Sequence, residues 1–335
     1  MRPGFKKVSR KMGEHKIKNY IKNFRIKDHS LGMAFIVLFV IATIVGWPNF
    51  LKVRNLTNIL RQISYTGIIG LGMTFVIISG GIDLSVGSMA AFVGGVSIFF
   101  LNLFGPDSTL ALVLTFLFAL VFGSLLGALN GVMVAKFKMA PFIVTLGTMS
   151  IFRSLIQYFS NAGTILSVNM GFGTLGSSMF LGLPIPVWFF IIIGVSLHVI
   201  LNHTSFGRYL CATGANEQVA RYSAIKVSLV KFVPYVITGF TVGVTAIMWS
   251  SRLNCINPSD CAGYEMDAIA AAVIGGTLMS GGKGSIIGTM MGAVMLGIIN
   301  NMLVMGGISA FLQQAVRGFV IIVAVLLQYN SDSNK

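Results

Sequence analysis

Apolar residues fill this chain in long runs separated by short polar stretches, and the lengths of those runs set the first reading. A helix needs roughly 20 apolar residues to cross the hydrocarbon of a bilayer. Runs of that order occur at 31–50, 58–80, 85–104, 110–135, 141–160, 187–202, 229–250, 265–282, 285–305 and 309–328. Lipid offers no partner to an unpaired backbone N–H or C=O, so such runs form helices. The pattern predicts an all-α polytopic membrane protein of about ten transmembrane helices. It is read as a single transmembrane domain over 31–328, flanked by tails at 1–30 and 329–335.

Composition agrees with the pattern. Mean hydropathy is +0.85, and 55% of residues are hydrophobic against 10% charged, where soluble domains carry about 25% charge. The net charge of +15 raises the question of nucleic acid, but its placement argues against that partner. Ten of the 24 basic residues fall between Arg2 and Lys27, where they fix the N-terminus on the cytoplasmic side. Val8, Ile17, Ile21 and Phe24 among them suit contact with anionic membrane lipid. The first run ends in the bulky "GWPNF" and reads as an anchor, not a cleaved signal. Counting spans from this inside start puts Lys136, Lys138, Arg208, Arg221, Lys226, Lys231 and Lys283 inside. An even number of spans then returns the C-terminus to the cytoplasm, in keeping with positive-inside sorting. Cys255 and Cys261 share an external loop in which a disulfide is chemically permitted. No Cys/His cluster suggests a metal.

The nine acids are few enough to place one by one, and only Asp83 falls between two apolar runs with no polar loop around it. A charge inside a membrane costs at least about 2.5–3.5 kcal/mol, so Asp83 should face protein, water or a helix end. It stands in "ISGGIDLSVGS", and a related stretch, "MSGGKGSIIGT", begins at Met279. Ser79-Gly80-Gly81 matches Ser280-Gly281-Gly282, and each pair of glycines is read as a helix break. Gly-interrupted segments in two parts of a transporter point to broken helices around a central path. Two readings of Asp83, followed by Ser85, stand side by side: a cap on the third span, or a group on the solute path. Asn300 and Asn301 are similarly open between solute and a neighbouring helix. Arg153 and Arg317 interrupt helices and are read as paired or snorkelling before they are read as path residues.

The segment 203–228 is the longest internal loop. It carries small residues at helical spacing, Ala212, Ala215 and Ala220, among Gly207, Arg208, Gly214, Asn216 and Glu217. It reads as a short helix capped near Gly214–Asn216 that offers a knob to a partner, with a solvated connector as the alternative.

Three blocks now carry a resemblance: "GMTFVIISGGIDLSVGS", "HTSFGRYLCATGANEQVARYSAIKV" and "YEMDAIAAAVIGGTLMSGGKGSIIGT". Over residues 30–328 the chain resembles the ribose-type branch of bacterial ABC sugar-importer permeases. That resemblance implies a homodimeric permease of the inner membrane, fed by an extracytoplasmic sugar-binding protein and driven by a cytoplasmic ABC ATPase. Residues 204–226 match the family's coupling region. "NCINPSDC" departs from the external stretch usual in the family.

The chain has no G-x-x-x-x-G-K-[ST] phosphate loop, since "GGKGS" lacks the spacing. It is therefore read as a transport subunit and not an enzyme, without a cofactor of its own, with ATP and Mg on the partner. Proton- and sodium-coupled carriers commonly hold several intramembrane acids, and here there is one candidate. The alternative is a self-sufficient ion-coupled carrier or facilitator. The sugar itself, ribose or a related pentose by resemblance, is not legible in the residues.

Overall fold

The computed structural model describes residues 26–333. Residues 1–25, most of the predicted basic tail, and the last two positions lie outside the described residues. Thirteen described helices follow in order: α1 (Ile26–Val45), α2 (Val53–Ile78), α3 (Val86–Asn102), α4 (Thr109–Ala135), α5 (Pro141–Phe159), α6 (Gly173–Ser177), α7 (Ile185–His203), α8 (Ser205–Ala215), α9 (Glu217–Tyr222), α10 (Val227–Leu253), α11 (Tyr264–Ile274), α12 (Ile286–Met305) and α13 (Ala310–Ser333). Six of them, α2, α4, α5, α7, α10 and α12, are long and apolar enough to cross a membrane. The protein is an all-α, multi-spanning membrane protein. Strand structure among the described residues is limited to two short antiparallel pairs. One joins Ile165–Leu166 to Cys255–Ile256, and the other joins Met179–Phe180 to Leu183–Pro184.

Helix α2 is the centre of the bundle. From Ile63 to Ile78 it is almost wholly buried, with α7, α10, α11 and α12 packed around it. What holds such a bundle together differs from water, because lipid tails are as apolar as leucine and give no hydrophobic drive between helices. Close backbone approach takes its place. On α4, Ala119, Gly123, Gly127 and Gly131 form one inward face, while Val113, Leu117, Val121, Leu125 and Leu129 point outward. The inward face meets Tyr235, Gly239 and Gly243 on α10 so closely that a Cβ on Gly123 would stand 2.4 Å from the Gly239 carbonyl oxygen. A second such crossing joins α11 to α12, where a Cβ on Gly288 would stand 2.0 Å from the Gly275 carbonyl oxygen.

Two predicted spans need correction. The first was placed at 31–50, but α1 ends at Val45 and residues 46–50 form turns, because Pro48 supplies no N–H to continue the helix. The eighth was placed at 265–282, whereas α11 has only 11 residues and stops at Ile274. Gly276 takes the left-handed conformation, with φ of +87°, which is the usual way a glycine ends a helix. The break thus falls at Gly275–Gly276. Gly281 and Gly282 sit further on, in a non-helical return that leads to α12.

Segment 161–184, to which the apolar pattern assigned no element, folds over the end of α10. The Ser251 hydroxyl donates to the Phe172 carbonyl and accepts from the Gly176 N–H at 2.7 Å. Arg153 on α5 donates to the carbonyls of Pro258 and Asp260, so it is a paired residue holding the loop that precedes α11. Cys255 and Cys261 in that region are separate thiols.

The glycine crossings give a direct test of this packing. A Cβ on Gly239 would stand 2.2 Å from the Gly123 carbonyl oxygen, while Gly147 on α5 has nothing within 4 Å of such a position. Gly239→Val should lower stability by about 1–3 kcal/mol or more. Gly147→Ala should be neutral or up to about 1 kcal/mol stabilising. Thermal unfolding of the detergent-purified chain, followed by its size-exclusion profile, measures both.

Candidate translocation site and coupling surface

Asp83 lies in the non-helical link between α2 and α3 and is fully buried, at 0% exposure. Its Oδ1 accepts from the Ser85 N–H at 2.9 Å and from the Ser85 hydroxyl at 2.6 Å. Asn130 of α4 donates to the Ser85 oxygen at 2.9 Å and to Asp83 Oδ2 at 3.4 Å. Among the described residues no cation forms a salt bridge with this carboxylate. The residue that precedes α3 as its cap position is Ser85, not Asp83, and its side chain makes no capping bond. Asp83 instead closes an Asx-type turn onto Ser85. Two further polar atoms of this neighbourhood are buried without a hydrogen bond: Asn130 Oδ1 and the hydroxyl of Tyr235. That hydroxyl presses on the helix break, since a Cβ on Gly81 would fall 2.6 Å from it. Each orphaned group costs about 1–3 kcal/mol of desolvation, a concentration of unmet bonding capacity at one place in an apolar bundle.

Asn130 was visible in the sequence only as part of the small-residue run "GSLLGALNG". Its signal was positional: three residues after Gly127, it shares the glycine face that turns inward. Tyr235 carried no signal beyond being a tyrosine in an apolar helix.

The other predicted path residues have protein partners. Asn301 and Asn55 exchange two amide hydrogen bonds, at 2.8 and 3.1 Å, tying α12 to α2. Asn300 accepts from Arg317 Nε at 3.3 Å, and Arg317 also pairs with the buried Asp267 at 3.3 Å. The structure therefore does not bring Asn300 and Asn301 to Asp83. They join α12 to neighbouring helices instead.

The predicted glycine pairs do meet. Gly282 N–H donates to the Ile78 carbonyl at 2.9 Å, linking the end of α2 to the return after α11. Gly80, Gly281 and Gly282 all have positive φ, at +82°, +86° and +77°. The third party at this junction is the internal loop. A Cβ on Gly214 would stand 1.8 Å from the Ile78 oxygen and 2.5 Å from the Gly282 nitrogen. One on Gly282 would meet the Ala215 Cα at 2.8 Å.

The loop itself forms two helices where one was predicted. The Thr204 hydroxyl caps α8 by accepting from Gly207 N–H at 3.4 Å. Asn216 ends α8 and caps α9, accepting from Val219 N–H at 3.1 Å. Glu217 binds Arg221 at 2.8 Å and also Lys231 of α10. The Lys231 ammonium, with Arg221 behind it, holds the Glu217 carboxyl below the usual carboxylate range. The small residues expected to face a partner divide into two sets. Gly207 and Ala220 are buried and Gly214 points at Ile78, whereas Arg208, Ala212, Ala215 and Asn216 are exposed. Beside the exposed set stand three large side chains that the small-residue pattern overlooked: Tyr209, Val219 and Tyr222, the last 88% exposed.

Known proteins place this arrangement. The family model described as "Branched-chain amino acid transport system / permease component" matches residues 55–325. The ribose import permease protein RbsC of Bacillus subtilis (strain 168) is 42% identical over 301 residues, covering 88% of this chain and 91% of that protein. Its namesake in Escherichia coli (strain K12) is 38% identical over 315 residues, 92% and 95% of the two chains. The D-allose transport system permease protein AlsC of the same strain is 36% identical over 296 residues, 88% and 90%. No solved structure matches. The family model runs from α2 into α13 and the relatives cover about nine-tenths of the chain, which belongs to the bacterial ABC-importer permeases, in the sugar-transport branch that includes the ribose permeases.

Proposed function

We propose that this permease carries a monosaccharide, ribose or a related pentose, released to it by an extracytoplasmic binding protein and driven by a cytoplasmic ATPase. The observation that carries the sugar assignment is the near full-length identity to proteins named as ribose import permeases, at 38–42%. ATP and Mg belong to the partner in this reading. A second copy of the chain completes the pathway, as the family resemblance implies. The number of crossings is about ten, with α1, α3, α11 and α13 joining the six long helices and both termini cytoplasmic. Here α11 crosses part of the membrane, and residues 275–285 complete the passage.

The division of faces on α8 and α9 supports a docking role. The exposed side carries Tyr209, Ala212, Ala215, Val219 and Tyr222, an apolar surface next to charged Arg208 and Arg221. Exposed aromatic groups beside small residues suit insertion into a groove on a partner. The buried side reaches the glycine junction, so movement of the docked helices transmits directly to the ends of α2 and α11. Alternating access then needs a partner that binds one arrangement of the junction better than the other.

On the translocation path we place Asp83, Ser85 and Asn130, with the Tyr235 hydroxyl as a further hydrogen-bonding group. A sugar offers several hydroxyls, and a carboxylate with adjacent amide and phenol groups matches them.

Reconstitution tests the assignment. The chain alone in liposomes is expected to hydrolyse no ATP and to accumulate no ribose, whereas addition of its ATPase and binding protein should give both. Ribose accumulation by the chain alone, driven by a proton or sodium gradient, would replace this reading with an ion-coupled carrier.

Asp83 is tested by two substitutions. Asp83→Ala leaves the Ser85 N–H and hydroxyl without their acceptor, and should cost about 1–3 kcal/mol, read as a lower unfolding temperature. Asp83→Asn keeps an acceptor for Ser85 and should fold closer to wild type. On the proposed path its uptake should nevertheless fall by about tenfold or more. Uptake at the wild-type rate in the folded Asn variant would confine Asp83 to building the turn.

A further inference from the structure

A second cluster of unmet hydrogen-bonding groups lies away from Asp83, where α2, α10 and α11 meet. Tyr65 is fully buried, its ring edge-on to Trp249 with centroids 5.4 Å apart. Trp249 is in turn edge-on to Tyr264, the first residue of α11, at 5.7 Å. The Thr245 hydroxyl donates to the Tyr65 carbonyl at 3.2 Å, fixing the two long helices in register. Along this aromatic row three polar atoms are buried without a hydrogen bond: the Tyr65 hydroxyl, Trp249 Nε1 and Arg61 Nε. Arg61 precedes Tyr65 by one helical turn, and its other end donates to the Ser177 carbonyl at 3.3 Å. Arg252, one turn further along α10, makes a polar contact with the same hydroxyl that falls outside ordinary hydrogen-bond geometry.

Such a set is unlike ordinary core. Buried N–H and O–H groups are nearly always satisfied, and an exception inside lipid-bounded protein has no bulk water to fall back on. Three exceptions on adjacent side chains from two helices therefore ask for a common partner. Apolar ring surface flanked by unsatisfied donors is what a small polyhydroxyl molecule recognises. Its C–H face lies on an aromatic ring and its hydroxyls take the N–H and O–H groups. The helices involved are those that move if the glycine junction moves, because α2 ends there, the return after α11 passes through it and α10 follows α9.

We propose that Arg61, Tyr65, Trp249 and Tyr264 form a monosaccharide-binding station on the translocation path, separate from the Asp83 cluster and closed on itself in this structure. Opening of α11 against α2 and α10 parts the three rings and admits the sugar. The station rests on the sugar-importer reading for its ligand, and on the geometry for its place.

The test rests first on a substitution that removes one polar atom and keeps the ring. In a purely structural cluster, Tyr65→Phe deletes a hydroxyl whose one polar neighbour is the long contact with Arg252, so stability should change little and transport should be unchanged. As a sugar station it should retain its unfolding temperature, while ribose uptake by the complete reconstituted transporter shows a KM raised by about tenfold. Trp249→Phe should raise the KM likewise, with a lower unfolding temperature because it also trims the ring that packs between Tyr65 and Tyr264. Wild-type uptake kinetics in both variants would overturn the proposal, and so would a lowered unfolding temperature in Tyr65→Phe, since that would give the hydroxyl a structural bond.

A second measurement separates the station from the transport reading. In full-length chain carrying Trp47→Phe and Trp188→Phe, Trp249 is the remaining fluorophore. In nanodiscs its emission should change on addition of millimolar D-ribose or D-allose, and not with a polyethylene glycol at equal osmolarity. The change should be absent after Tyr65→Phe. A flat response to both sugars would overturn the station even if the complete transporter accumulates ribose. A ribose-dependent change, together with a complete reconstituted transporter that accumulates no ribose, would uphold the station while removing ribose as the transported sugar.

Discussion

The carbonyl of Ile78 is the point on which this bundle turns. As the last residue of α2 it has no helical N–H to accept, and it takes the N–H of Gly282 at 2.9 Å. In the same place the backbone of Gly214 sits so close that no side chain fits between them. One backbone oxygen left free by the helix end thus joins three distant parts of the chain: the central helix, the non-helical return after α11, and the second-to-last residue of the internal helix α8. Lipid allows irregular backbone only where protein satisfies it. The glycines at 80, 281 and 282 are the residues able to take the left-handed conformations this junction requires.

The rest of the architecture follows from the same scarcity of partners. Helices cannot be drawn together by apolar surface when the solvent is itself apolar, so α4 and α10, and α11 and α12, meet backbone to backbone along small residues. Large aliphatic side chains go outward, as on the Val113–Leu129 stripe of α4. Many polar side chains that remain inside are committed, as Asn55 is to Asn301 and Arg317 to Asp267, and two groups, around Asp83 and around Tyr65, gather bonding capacity left over. Both groups include residues of α2 or of the link that follows it, the part of the chain that ends at the Ile78 junction.

Much of the fold was legible because helix length and apolar run length are the same quantity in a membrane. Runs such as 110–135 and 141–160 match α4 and α5 to within a residue. The run at 265–282 misled because composition does not distinguish an eleven-residue helix with an extended return from one continuous span. Gly276 was the stop signal, hidden among five other glycines between 275 and 288. Asp83 announced itself as an isolated acid, yet its partner Asn130 did not, because one amide in a small-residue face looks like packing. The pairing of the two serine-glycine-glycine stretches was readable as a likeness, and their physical contact was not. Gly214 was expected to face a partner protein. Small residues at helical spacing announce close approach without saying to what, and here the close neighbour is the chain's own α2.

The central claim is that α8 seats directly on the end of α2, so that events at the internal helices reach the bundle through this contact. Gly214→Ala tests it with the smallest available change, since the added methyl would overlap the Ile78 carbonyl. The measurement is ribose uptake and ATP hydrolysis in the same vesicles of reconstituted transporter, taken as sugar moved per ATP. That ratio is independent of how much of the variant folds. Seating through Gly214 predicts a ratio lowered by about tenfold or more, with the ATPase still bound, as expected when a close-packed contact is overfilled. An unchanged ratio would contradict it and leave α8 a connector between spans.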